Sequence, residues 1–193
     1  MSESGGSDPD GQLLKTILDS GARFDLTRAV RTALALLEAL QRLHEAGIIH
    51  RNVHPGCVFL AAGGDVRLGE MELAKRKGDP GSGTGEMSGK VRVMAPEQVL
   101  GGTVDERTDI YHCGLILYRL VTGRQAFEAA GAWALATKVV SEDPPAPTTV
   151  NPEIPRDLSD VMLRALARVP EDRFATAAEF AERLAATQQS RPD

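Results

Sequence analysis

The stretch LHEAGIIHRNVHPGCVFL, residues 43–60, decides how this chain folds. It starts inside an apolar periodic segment, breaks at Gly47, and crosses two histidines, a proline and a glycine before reaching residues of strand character. Gly47 is a helix stop, because glycine enters the left-handed conformation without a Cβ penalty. Backwards from it, LTRAVRTALALLEALQRLHEA places Val30, Ala33, Leu34, Leu37 and Leu40 at helical spacing, and Leu36 and Leu43 widen the stripe. A stripe that broad predicts a helix buried over most of its girth, with Asp25 capping its first turn. Forwards, CVFLAAGGDVRLGE predicts two short strands around Gly63–Gly64.

The flanks extend this pattern. LLKTIL predicts a short helix ending near Gly21, and residues 1–11, rich in Ser, Gly and Asp, read as a disordered tail. KRKGDPGSGTGEMSGK has no periodicity and many glycines, so it reads as a mobile loop. DERTDIYHCGLILYRLVTG predicts a second long helix with Ile110, Leu117, Leu120 and Val121 apolar and Gly123 as its stop. DPPAPTTVNPEIP reads as an extended connector. Two closing helices follow. One buries Leu158, Val161, Met162, Ala165 and Leu166; the other opens on Thr176 and Glu179, the spacing of a capping box. The expected organisation is a mainly α domain over residues 12–187 with one small β-hairpin, and a short tail over 188–193.

Bulk composition narrows the function classes. The 193 residues are 42% hydrophobic and 25% charged, an ordinary globular balance, with only 4% aromatic residues, so the core rests on aliphatic side chains. A formal net charge of −5 gives no general attraction to nucleic acid or an anionic membrane. No apolar run is long enough to span a bilayer, and the first residues lack the pattern of a secretory signal. Cys57 and Cys113 form no CxxC pair, so a reducing cytoplasm is the expected location.

The order of these segments resembles the large, C-terminal lobe of a bacterial, eukaryotic-like Ser/Thr protein kinase, from about Leu13 to Leu184. LHEAGIIHRNVHP is similar to the end of the central helix and the catalytic loop. DVRLGEMELAK is similar to the strand entering the metal-binding turn, VRVMAPEQVLGG to the end of the activation segment, and DERTDIYHCGLILYRLVTGRQAF to the following core helix. DRFATAAEFAERL is similar to the last helix and the Arg before it. The resemblance implies that Glu97, in Ala95-Pro96-Glu97, pairs with Arg173. It also implies that Asp109 accepts hydrogen bonds from the backbone of the His50–Arg51 turn, and that Gly114 allows close helix packing.

Against the same resemblance, several reactive positions are altered. Asn52 stands where the family has its catalytic Asp; an amide has the carboxylate's shape without its charge and cannot take a proton at neutral pH. Cys57 replaces an Asn that binds magnesium, and a thiol suits a hard cation poorly. His54 replaces a Lys, and imidazole is mostly uncharged at neutral pH. The metal-binding turn reads Glu70-Met71-Glu72, with Glu72 in place of a flexible glycine. No glycine-rich loop or Val-Ala-x-Lys strand precedes these motifs, and GSGTGEMSGKV fails as a phosphate loop, having Thr84 at the first glycine position and Val91 after the lysine.

These changes lead to the expectation of a chain that is not an enzyme: a pseudokinase lobe serving as a protein-binding scaffold or allosteric regulator, with no cofactor. A protein partner, a second copy or the N-terminal segment is expected to cover the face near Val58, Leu60 and Met71, since exposed apolar patches mark interaction sites. The alternative is the large lobe of a split kinase that receives its small lobe in trans, with Glu70, an acid one methylene longer than the family's Asp, holding one magnesium. A third reading is an inhibitor presenting its activation loop to a true kinase. Arg51 is a candidate receiver for a phosphate on Ser82, Thr84 or Ser88. His50, His54 and Cys57 have a spacing that raises zinc, but zinc needs a fourth convergent ligand, and no metal is expected. Lys75–Lys77 and the PPAP run read as an exposed patch and a linker.

Overall fold

The computed structural model describes residues 11–69, 71, 74–76 and 94–189. The described chain enters through β1 (Gln12–Leu13) and α1 (Leu14–Asp19), then forms the long helix α2 (Leu26–Glu45). The Asp25 carboxylate accepts from the Arg28 amide at 2.7 Å, satisfying one of the amides that a helix start leaves unpaired. Val30, Ala33, Leu36, Leu37 and Leu40 are buried, while Leu34 and Leu43 lie at the edge of the stripe and are half-buried. Gly47, at φ 72°, turns the chain out of the helix.

Four short strands follow: β2 (Ile48–Ile49), β3 (Val58–Leu60), β4 (Val66–Leu68) and β5 (Lys75–Arg76). The β3–β4 hairpin is the one read from the sequence, with Val58 opposite Leu68 and Leu60 opposite Val66. Two pairings go beyond that reading. β1 adds antiparallel to β3, Gln12 opposite Leu60, and β2 pairs with β5, Ile48 opposite Arg76. Strands of two residues are too short to carry an alternating pattern, so sequence periodicity does not reveal them. Lys75 and Arg76 are therefore ladder residues, with Lys75 half-buried, rather than part of a free basic run.

The helical half comprises α3 (Pro96–Val99), α4 (Glu106–Thr122), α5 (Ala132–Ser141), α6 (Pro147–Val150), α7 (Arg156–Ala165) and α8 (Ala177–Gln189). α4 is capped by Asp105, whose carboxylate accepts from the Arg107 amide at 2.8 Å, and ends at Gly123 in the left-handed conformation. The connector is not fully extended. Pro147, whose fixed φ suits a first helical position, starts α6, and the Tyr118 hydroxyl donates to the Pro145 carbonyl at 3.0 Å to hold it. α5 goes unannounced by periodicity because its buried residues, Leu135, Ala136 and Val139, make a narrow stripe. Its opposite side carries Trp133, 76% exposed. At the start of α8, Thr176 Oγ1 accepts from the Glu179 amide at 3.0 Å. The Glu179 carboxylate reaches one residue past the expected partner, to the Ala175 amide at 2.7 Å.

A core of Leu36, Leu37, Val58, Leu117, Met162 and Phe180 joins α2, β3, α4, α7 and α8. Phe174 stacks on Phe180 with centroids 4.7 Å apart. Gly114 lets α4 meet α7: a Cβ there would sit 3.1 Å from Ala165 Cβ and from Leu166 Cδ2. The architecture is the one the resemblance implies, mainly helical with one small hairpin. Among the described residues, no helix is long and apolar enough to cross a membrane.

Candidate functional site

The site is built on the turn that follows β2. Arg51 has φ 69°, a left-handed conformation that a residue with a Cβ adopts only when its surroundings hold it there. Asp109, fully buried on α4, supplies the hold. Its Oδ2 accepts from the His50 amide at 2.8 Å and its Oδ1 from the Arg51 amide at 2.7 Å. His44, on the last turn of α2, meets Oδ2 at 2.9 Å through Nε2. The carboxylate thus joins α2, the turn and α4; its two bonds to the turn are those the resemblance implies.

His50 is buried, and its Nε2 lies 3.0 Å from the Gly69 carbonyl at the end of β4. Asn52 is nearly enclosed, 9% exposed. The peptide groups on either side of it are gripped by α3 and α4. The Arg51 carbonyl accepts from Gln98 Nε2 at 2.8 Å, and the Val53 amide donates to His112 Nδ1 at 3.4 Å. Gln98 Oε1 accepts from His112 Nε2 at 3.0 Å and from the Ala95 amide at 2.9 Å. Burial pushes the His112 imidazole down to about 4, so at neutral pH the ring is uncharged, with one nitrogen accepting and the other donating.

The second anchor is the pair between α3 and the turn before α8. Arg173 Nη1 and Nη2 donate to Glu97 Oε1 and Oε2 at 2.9 and 2.8 Å. Its remaining donors meet the carbonyls of Ala167, Arg107 and Arg168, and the Thr108 hydroxyl donates to Glu97 Oε1 at 2.6 Å. The guanidinium also lies 4.7 Å from the centroid of the Tyr111 ring. Burial alone would raise the Glu97 carboxyl, but the Arg173 and Thr108 contacts outweigh it and hold the group below its ordinary value. Burial pushes the Tyr111 phenol and the Cys113 thiol well up, so neither is a ready nucleophile.

The remaining candidates sort by position. The buried Cys57 thiol lies 3.2 Å from the His54 amide and 3.1 Å from its carbonyl, closing the loop on itself. His54 Nδ1 accepts from the Gly56 amide at 3.0 Å. Each of the three residues considered for zinc is thus engaged separately, and no group of His, Cys, Asp or Glu among the described residues has the arrangement to hold a metal ion. Cys57 does not fit magnesium either, since its sulfur is a soft donor already turned into the loop. Val58 and Leu60 correct the proposed partner face. Both are buried, because their side chains enter the core beneath the hairpin, and β1 covers the edge of β3; Met71, 37% exposed, remains accessible. Glu70, Glu72, Ser82, Thr84, Ser88 and Lys77 lie outside the described residues. His44, Gln98, Thr108 and His112 join the site without having been singled out in the sequence. The available signal was polar residues on the buried face of α4, where Thr108 and His112 flank Asp109.

Comparison with known proteins bears on all of this. The protein kinase domain family model matches residues 8–184. A probable serine/threonine-protein kinase of Streptomyces coelicolor is 34% identical over 174 residues, covering 89% of this chain and 26% of its own length. The serine/threonine-protein kinase PknB of Mycobacterium tuberculosis is 32% identical over 186 residues, covering 95% of this chain and 30% of its own. The chain therefore spans under a third of these relatives. The expectation of a non-enzyme is overturned, because the family and the relatives' names point to an enzyme. Altered reactive positions did not outweigh the scaffold that the described residues retain. The chain belongs to the protein kinase domain family.

Proposed function

We propose that residues 12–187 form the large lobe of a Ser/Thr protein kinase, which transfers the γ-phosphoryl group of ATP to a protein hydroxyl once small-lobe residues grip the nucleotide. The observation that carries this reading is the turn at His50–Arg51, held in a strained conformation by both oxygens of a buried carboxylate. Strain of about 1–3 kcal/mol is kept where position matters. Phosphoryl transfer passes through a loose transition state, so most of its catalysis is positioning and electrostatic stabilisation rather than proton removal. A loop with Asn52 in the catalytic position forgoes the general base, a factor of about 10²–10⁴, and retains the positioning. No step is assigned to a metal, since Cys57 does not fit one and Glu70 lies outside the described residues.

In this reading the partner expected from the sequence is the small lobe itself, meeting the large lobe near Met71. The direct test joins this chain to the small lobe of the Streptomyces relative and measures phosphate transfer from radiolabelled ATP to a generic Ser/Thr substrate. Slow transfer is expected, rising about a hundredfold or more in Asn52→Asp. If neither the chimera nor Asn52→Asp transfers phosphate, while ATP at high concentration leaves its melting temperature unchanged, the reading fails. Bound ATP at a hundred times its Kd would add about 2.7 kcal/mol.

A further inference from the structure

The two side chains that grip Asn52 from either side come from different elements. Gln98 belongs to α3, which directly follows the segment ending at Ala95; His112 belongs to the core helix α4. Each bond constrains the other. Ala95 and His112 both present N–H groups to Gln98 Oε1, so the amide cannot flip without facing donor against donor, and its Nε2 must point to the Arg51 carbonyl. With Nε2 of His112 donating, its Nδ1 is free to accept from Val53. The result is one bridge running from the Arg51 carbonyl through Gln98 and His112 to the Val53 amide, spanning the two peptide groups that flank Asn52.

We propose that Gln98 and His112 are a positioning pair that couples the placement of α3 to the placement of Asn52. A shift of α3 pulls on the Arg51 carbonyl directly and on Val53 through the imidazole, so the residue in the catalytic position follows the end of the activation segment. Asp109 grips only the amides before Asn52, at His50 and Arg51, and leaves the following peptide to this pair. The bridge needs a neutral His112, since a proton on Nδ1 would face the Val53 N–H; its burial keeps it so near neutral pH. The catalytic consequence rests on the kinase reading, whereas the bridge itself does not.

The test uses this chain for structure and the small-lobe chimera for activity. In His112→Ala and Gln98→Ala, amide hydrogen exchange at Val53 is expected to speed up at least tenfold, with exchange in α8 unchanged. His112→Asn, whose amide can accept and donate in the same sense, is expected to recover part of the protection. It also serves if His112→Ala does not fold. In the chimera, kcat is expected to fall with the KM for ATP unchanged. Wild-type exchange at Val53 in Gln98→Ala, or exchange that rises equally throughout the chain, overturns the proposal. Faster local exchange in a chimera that never transfers phosphate keeps the bridge and removes the kinase reading.

Discussion

Arg173 uses all five of its N–H donors, two on Glu97 and one on each of three carbonyls, which makes it an intolerant position in this lobe. Replacing it with Ala strips a buried carboxylate of its counter-charge and three carbonyls of a donor, and urea unfolding should show a loss of about 3–5 kcal/mol. Arg173→Lys recovers little, since a point charge cannot repeat the fork. His112 predicts a different response. Its folded pKa, about 4, lies below the ordinary value of 6.5, so between these the unfolded chain binds the extra proton. The stability tied to neutral His112 is therefore present above pH 6.5 and lost as pH falls toward 4, by up to about 1.4 kcal/mol per unit. Glu97 acts in the same direction further down, since its lowered carboxyl contributes stability above its ordinary value of 4.5 that is lost as pH falls. Unfolding free energies measured between pH 7 and 4 check the first effect, and His112→Asn should flatten the slope. At this scale the family resemblance pointed to the anchors Glu97, Arg173 and Asp109. The sequence hid Gln98 and His112, whose roles depend on which of their atoms meet across long stretches of chain.

Among the elements, α4 depends on one missing atom. A side chain at Gly114 would press on Ala165 and Leu166, and Gly114→Val should separate α4 from α7 at a cost of about 1–3 kcal/mol, visible in the urea midpoint. The long helices were legible because an apolar stripe repeats through several turns and their ends carry Asp25, Gly47 and Gly123; the Asp105 cap of α4 was found in the structure. The two-residue strands, α5 and α6 were not. β1 and β5 exist through the partners they pair with, and α6 holds four residues started by a proline in a stretch whose composition reads as linker. Tertiary contacts, rather than local preference, decide such segments.

At the scale of the whole molecule, the sequence showed the family and its order of parts, but weighed the altered loop too heavily. Counting the changed residues at Asn52, His54 and Cys57 gave no measure of how the same loop is held, by Asp109 and His112 from α4 and by Gln98 from α3. The exposed position of Trp133 has a practical consequence for every stability measurement above. It is the chain's sole tryptophan, and 76% of it already meets solvent in the folded state. Its fluorescence should start near the colour of the indole in water and shift little when the lobe melts. Emission is then a poor thermometer for this protein, and circular dichroism must follow unfolding. The same insensitivity leaves a quiet background, against which a blue shift would report whatever comes to rest on α5.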